Sequence, residues 1–192
     1  MKSAVFTFGR MNPPTIGHEK LVNKLRKVAR MTRGQPLLFA SQSQDAKKNP
    51  LDYNTKIRIL QTSFGQIVQR SNSKTIMQVM AELQDKGYEE VVLVAGSDRV
   101  KDFNALLQKY NGTDYNFNNI KVVSAGQRDP DADGAEGMSA SKMRELAKDE
   151  NLDEFKKGLP LKAQRMAKDI MNKVRKGMKL WLKRKICKSL KS

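Results

Sequence analysis

Residues 4–18 read AVFTFGRMNPPTIGH: an apolar run, a glycine, a proline-stiffened turn and a histidine. The run at 4–8 is rich in aromatic and β-branched residues, as expected of a buried strand. Gly9 lets the chain turn, and apolar side chains at helical spacing predict a helix over 17–31. The stretch is therefore predicted to be a strand and a helix joined by a short loop.

The same alternation continues along the chain. Further strands are predicted at 36–40, 66–69, 90–95 and 120–124, and helices at 52–60, 74–86, 98–110 and 139–148, with a polar loop at 126–137. A β-α repeat predicts parallel strands covered by helices. We therefore expect an α/β fold: a Rossmann-like five-stranded parallel sheet with helices on both faces, plus a basic C-terminal helical extension. The predicted division is a main domain at 1–158 and a tail at 159–192.

Positive charge is concentrated in the tail. The net charge is +17, from 37 Lys+Arg against 20 Asp+Glu, and residues 160–192 hold twelve of the basic residues and one acid, Asp169. Apolar residues also recur there at a spacing of four, from Met166 to Ile186. An amphipathic helix is predicted, which packs on the body or binds nucleic acid, an anionic surface or an assembly partner.

Several classes of protein are disfavoured. No apolar stretch exceeds five residues, whereas a membrane-spanning helix needs about 20. Arg10 and two prolines interrupt the N-terminus before a signal-peptide core can form. The single cysteine, Cys187, excludes an internal disulfide framework. A cytoplasmic location is expected, or the host cytoplasm if the protein is viral.

The loop at 9–18 has the chemistry of a phosphate site. Free N–H groups and the dipole at a helix start favour phosphate, and an imidazole in the first turn can donate to its oxygens. The segment resembles the signature of the H-x-G-H nucleotidyltransferases, which include nicotinamide-mononucleotide and phosphopantetheine adenylyltransferases and glycerol-phosphate cytidylyltransferases. Its opening is most similar to the archaeal-type nicotinamide-mononucleotide enzymes. The resemblance implies catalytic roles for Thr15, which replaces the first histidine, and His18, and nucleotide contacts by Gly9, Arg10, Met11, Asn12 and Gly17.

A second segment, GMSASKMR at 137–144, resembles the family's S-x-(S/T)-x-x-R motif at a helix start. Ser139 would cap the helix and Ser141 would add a hydroxyl. The resemblance implies that both serines contact the nucleotide, and that Arg144 is catalytic and holds the β- and γ-phosphates.

Two shorter segments follow strands two and four. Asn49-Pro50-Leu51 with Arg58 resembles a substrate-proximal segment of adenylyltransferases, which implies a catalytic role for Lys48 and substrate contacts by Lys47, Asn49 and Arg58. Gly96-Ser97-Asp98 resembles the family's G-(S/A)-D segment, which implies nucleotide contacts by Gly96 and Asp98 and a substrate contact by Ser97. A solvated loop and ordinary helix capping explain the lysines and Asp98 equally well.

The predicted reaction is transfer of a nucleoside monophosphate from a triphosphate to a phosphate-bearing acceptor. The family implies in-line attack without a protein nucleophile, Mg²⁺ held mainly by phosphates and water, and no dedicated protein metal site. Adenylyl transfer to nicotinamide mononucleotide is favoured. The alternatives are cytidylyl transfer to a small phosphate ester, or a degenerate nucleotide-binding module with a basic tail, as in phage-encoded members. The enzyme hypothesis requires the helix starts near 16 and 139 to converge.

Overall fold

The computed structural model describes residues 1–126 and 138–180. Four parallel strands form one sheet in the order β2-β1-β3-β4. Their bounds are Ser3–Gly9 (β1), Gln35–Ala40 (β2), Glu90–Ala95 (β3) and Asn119–Ser124 (β4).

Seven α-helices accompany the strands in the described ranges. They are Ile16–Thr32 (α1), Tyr53–Phe64 (α2), Ile76–Asp85 (α3), Val100–Lys109 (α4), Ala140–Lys148 (α5), Leu152–Gly158 (α6) and Ala167–Gly177 (α7). No helix among the described residues has the length and apolar content needed to cross a membrane.

Side chains alternate between the two faces of the sheet. On one face Phe6 and Leu93 pack with α3 and α4, through residues such as Met80 and Leu107. On the other face Val5 packs against α1, and β2 packs against α2. The predicted α/β architecture, a parallel sheet with helices on both faces, is confirmed.

The prediction of a fifth strand at 66–69 is wrong. Helix α2 ends at Phe64, and a 3-10 turn then occupies Gly65–Ile67. Only Val68 and Gln69 remain to pair with β2. Val68 forms a single parallel bridge with Leu38, and the N–H of Gln69 donates to the carbonyl oxygen of Leu38 at 2.8 Å. The segment lies where an outer strand would lie, but the turn leaves it too short to form a ladder.

The described part of the tail packs on the body. A 3-10 turn spans Leu161–Met166, and α7 follows. Ile170 and Val174 of α7 are fully buried with Ile59 of α2 and Met143 of α5. At its end Gly177 meets the loop before α2 so closely that a Cβ would overlap the carbonyl oxygen of Pro50. The predicted apolar stripe thus packs on the body as far as Met178. Residues 181–192 lie outside the described residues. The domain boundary at 158 stays a prediction.

Candidate active site

The crevice of the sheet opens between β1 and β3. The chain leaves β1 towards β2 on one side, while β3 lies on the other side. In open α/β sheets this reversal of strand order marks the place where ligands bind, beyond the carboxyl ends of the strands. The loop at 10–15 and the turn after β3 therefore border the same crevice.

The first turn of α1 holds a fixed imidazole. Thr15 is the N-cap residue of the helix. Its backbone N–H donates to Nδ1 of His18 at 2.9 Å, and its hydroxyl oxygen lies 3.0 Å from the same nitrogen. Because Nδ1 accepts the amide proton, the neutral ring carries its own proton on Nε2. The Thr15–His18 pair thus fixes both the orientation and the tautomer of an imidazole that is 8% exposed.

Asn12 ties the loop after β1 to the loop before α2. Its Nδ2 donates to the carbonyl oxygen of Leu51 at 2.9 Å, and its Oδ1 accepts from the N–H of Leu51 at 2.9 Å. The side chain is buried. Since both polar ends of the amide are bonded to Leu51, the side chain positions the two loops relative to each other.

Arg144 joins the start of α5 to the same loop. Its Nη1 donates to the carbonyl oxygen of Asn12 at 3.0 Å, and its Nη2 donates to the Ser141 hydroxyl at 2.9 Å. Burial lowers the pKa of Arg144, and the nearby charge of Arg10 lowers it further. The two guanidinium groups are therefore electrostatic neighbours, as suits a site for a multiply charged anion.

The two helix starts lie side by side. Ser139 caps α5 by accepting a hydrogen bond from the N–H of Lys142. Met138, directly before that cap, lies against α1, because a Cβ on Gly17 would stand 3.9 Å from its carbonyl oxygen. Together with the Arg144–Asn12 bond, this contact brings His18, Thr15, Arg144 and both serines to one region.

The start of the loop after β1 is anchored by one backbone hydrogen bond and one buried side chain. The carbonyl oxygen of Gly9 accepts from the N–H of Ser41 at 2.9 Å. Met11 adopts a φ of 44° and buries its side chain with Leu38 and Ile57, so Met11 can offer a nucleotide little beyond its backbone. Arg10, by contrast, is exposed.

Lys47 and Lys48 lie on an exposed turn organised by Asp45. The Asp45 carboxylate accepts from the N–H of Lys48 at 2.7 Å, the N–H of Lys47 at 2.9 Å and Nδ2 of Asn49 at 2.5 Å. These donors, the Lys48 amide first, lower the pKa of Asp45 to about 2. The turn is followed closely by Leu51, whose backbone Asn12 binds, so the turn lies near the loop after β1.

Arg58 and the predicted segment after β3 are not joined to this cluster. Arg58 lies on α2 and pairs with Asp169 of the tail, with Nη2 3.6 Å from Oδ2. Ser97 and Asp98 lie in the 3-10 turn after β3, next to Gly96. Within residues 1–126 and 138–180, no hydrogen bond or ion pair links Ser97 or Asp98 to the loop at 10–15 or to α5.

A buried lysine was missed at the sequence level. Lys56 of α2 is fully buried, and its Nζ donates to the carbonyl oxygen of Ser41 at 2.5 Å. Burial lowers the pKa of Lys56 to about 8. Ser41 Oγ and Asn49 Oδ1 are buried with no hydrogen-bond partner among the described residues. The sequence did contain one indication of this burial, because Lys56 lies at helical spacing from Leu60 and Ser63, on the buried side of α2.

The described residues offer no protein cluster suited to a metal ion. Across 1–126 and 138–180, no three His, Cys, Asp or Glu side chains come together in a group of that kind. The groups that do gather at the two helix starts are hydroxyls, an imidazole and guanidinium groups, which bind phosphate oxygens.

Comparison with known proteins shows similarity of fold. A Vibrio parahaemolyticus protein assigned as a nicotinate-nucleotide adenylyltransferase superposes with a TM-score of 0.54 at 15% identity, over 87% of this chain and 99% of that one. Thermotoga maritima TmcAL bound with alpha-thio ATP superposes with a TM-score of 0.53 at 12% identity, over 90% of this chain and 56% of that one.

Sequence comparison adds no closer relationship. No protein-family model matches the chain, and no curated protein matches it significantly. At 12–15% identity the two structural similarities establish a shared fold.

Proposed function

We propose that the protein is a nucleotidyltransferase, which moves a nucleoside monophosphate from a triphosphate to a phosphate-bearing acceptor and releases pyrophosphate. The observation that carries the proposal is the hydrogen bond from Arg144 to Asn12, which holds the first turns of α5 beside the loop that leads into α1. Each helix start offers N–H groups and a positive dipole end, and the crevice of the sheet lies beside the first.

The proposed roles use the groups that gather at the two helix starts. His18 would donate to an oxygen of the α- or β-phosphate, with Thr15 keeping the imidazole in place. Arg144, Ser139 and Ser141 would hold the β- and γ-phosphates and stabilise the charge that develops on departing pyrophosphate. Catalysis then consists of positioning and charge stabilisation, with an acceptor phosphate oxygen attacking the α-phosphorus in line.

Mg²⁺ is proposed to arrive as part of the substrate. The triphosphate would carry it on phosphate oxygens and water, because Mg²⁺ retains several waters and is usually held through few protein carboxylates. Lys47 and Lys48 are proposed to reach towards the acceptor from their exposed turn.

Adenylyl transfer is the favoured reaction, with nicotinamide mononucleotide as the first acceptor to test. Its support is the Gly9-Arg10 opening of the first motif, together with a fold similar to a protein assigned as a nicotinate-nucleotide adenylyltransferase and to one bound with an ATP analogue. Cytidylyl transfer to a small phosphate ester is the alternative enzyme reaction.

A matrix assay tests the proposal. The purified chain is incubated with ATP or CTP, Mg²⁺ and a panel of acceptors that includes nicotinamide mononucleotide, nicotinate mononucleotide, phosphopantetheine and glycerol 3-phosphate. We expect acceptor-dependent release of pyrophosphate with one triphosphate. Nucleotide binding without pyrophosphate release across the panel would instead favour a degenerate binding module.

A further inference from the structure

A groove with cationic sides lies between α7 and the connection from α5 to α6. Its volume is about 740 Å³. Leu152 and Met171 contribute apolar lining, whereas Lys168, Arg175 and Lys176 contribute positive charge. None of these residues takes part in the proposed transfer reaction.

One of the three cations is already neutralised. Arg175 forms an ion pair with Glu150, which also lines the groove, and its Nη1 donates to the carbonyl oxygens of Ala147 at 2.5 Å and Lys148 at 3.0 Å. Lys168 and Lys176 are exposed, and neither has an ion-pair partner within the described part of the chain. The net positive charge of the groove therefore comes from these two lysines.

The positive face continues beyond the groove. Arg165, in the 3-10 turn before α7, and Lys179, just after its end, are exposed like Lys168 and Lys176. The only acid between residues 160 and 180, Asp169, pairs instead with Arg58 at 3.6 Å and Lys173 at 3.1 Å. Asp169 lies seven residues before Lys176 and thus on the same side of α7, but its charge is shared by Arg58 and Lys173, so cations outnumber acids on this surface.

The opposite face of α7 argues against membrane binding. An amphipathic helix binds a bilayer by inserting its apolar face. Ile170 and Val174, which form that face, are fully buried against the body. The outer side of α7 carries the exposed Lys168 and Lys176, and such cations suit a chain of phosphates.

We propose that this groove binds a single strand of nucleic acid without sequence selectivity. The phosphates would contact Lys168 and Lys176, and an unpaired base would lie against Leu152 and Met171. A duplex keeps its bases stacked inside and cannot use the apolar lining, so a single strand fits better. This function goes beyond nucleotidyl transfer and does not depend on it.

The experiment compares two variants of the full chain. In K168Q/K176Q the groove loses both unpaired lysines. In the matched control, K27Q/R30Q, two exposed cations are removed from the last half of α1. Binding of a fluorescein-labelled oligo(dT) strand is followed by anisotropy over a range of NaCl concentrations, with thermal unfolding as a check on folding.

Wild-type protein and the control are expected to bind with a similar salt dependence. For K168Q/K176Q the slope of log K against log salt should flatten by about 1.4, since each phosphate contact on a single strand contributes about 0.7. Unlabelled oligo(U) should compete better than duplex DNA of equal length. Pyrophosphate release by K168Q/K176Q should equal that of wild type, which separates this proposal from the enzyme assignment.

Four results would overturn the proposal. The first is no binding to the strand at low salt, and the second is an equal loss of binding in both double variants. The third is tighter binding to phosphatidylglycerol-containing vesicles than to the strand. The fourth is complete competition by inorganic phosphate or a mononucleotide at the concentration of strand phosphates. The last result would identify the groove as a small-anion site.

Discussion

The guanidinium group of Arg144 donates a hydrogen bond to the carbonyl oxygen of Asn12 at 3.0 Å, across 132 positions of the chain. Asn12 in turn clamps Leu51 through both polar atoms of its side chain. Three segments distant in sequence are thus held by consecutive hydrogen bonds: the loop after β1, the loop before α2 and the first turns of α5. Any ligand at this place meets a surface that the free protein has already assembled.

A lysine should not replace the function of the branched guanidinium group of Arg144. In Arg144→Lys the single ammonium cannot serve Asn12, Ser141 and a phosphate together. We expect kcat/KM for pyrophosphate release to fall about tenfold to a hundredfold, the range set by hydrogen bonds to charged groups. Arg165→Lys, an exposed exchange of the same kind, should leave kcat/KM unchanged. Equal activity of both variants would remove Arg144 from the proposed triphosphate site.

His18 should matter for turnover more than for binding. Loss of one preorganised donor costs on the order of 10²–10³ in kcat, so His18→Ala should lose that much pyrophosphate release while ATP affinity falls less. Asn23→Ala, an exposed change on the same helix, serves as control, with circular dichroism to verify that α1 persists. Turnover at the wild-type level would refute the catalytic assignment.

The buried Lys56 should make the free energy of unfolding rise with pH in the alkaline range. Its pKa is about 8 in the folded protein against an ordinary 10.5, so the folded state releases this proton first. Between pH 8 and 10.5 the unfolded state therefore binds more protons, and the contribution of Lys56 to the free energy of unfolding rises with pH. Below pH 8 its contribution is constant.

Denaturant unfolding of Lys56→Met across this range measures the effect. The variant should lose the upward contribution between pH 8 and 10.5, whereas Lys27→Met, at an exposed site, should retain it. An unchanged profile in Lys56→Met would mean that the lysine titrates normally in the folded protein.

Gly177 should tolerate no side chain. A Cβ there would overlap the carbonyl oxygen of Pro50, a backbone atom that cannot rotate aside. Gly177→Ala is therefore expected to destabilise the protein by about 1–3 kcal/mol in denaturant unfolding, the usual cost of overpacking. The nearby exposed change Asn172→Ala should stay within about 0.5 kcal/mol of wild type. A neutral Gly177→Ala would show that α7 can move away from Pro50 without cost.

The sequence predicted the elements with strong local signals. Strand β3 occupies the predicted residues, because a continuous β-branched run flanked by polar residues is unambiguous. Ser139 caps α5 as predicted, whereas the first helix was predicted to begin at residue 17 and its N-cap, Thr15, was not recognised. The strand at 66–69 was wrongly predicted, because four residues cannot reveal that a turn will use the first two.

Features that depend on tertiary pairing could not be predicted. The bonds of the Asn12 side chain to the backbone of Leu51 are one example, because backbone partners carry no sequence signal. Lys56 was not selected, because a lysine among apolar positions of a helix is usually taken to extend towards solvent. Its bond to Ser41 becomes visible only when the end of β2 is placed beside α2.

The burial of α7 also limits how this molecule can be dissected. Ala163, Ala167, Ile170 and Val174 complete a core with Met143, Ala147 and Phe155. A protein shortened at Gly158 would expose that core to water and favour aggregation, so any loss of nucleic-acid retention or enzyme activity would be uninterpretable. Charge-removing substitutions on the outer side of α7 are therefore the sound way to separate its roles.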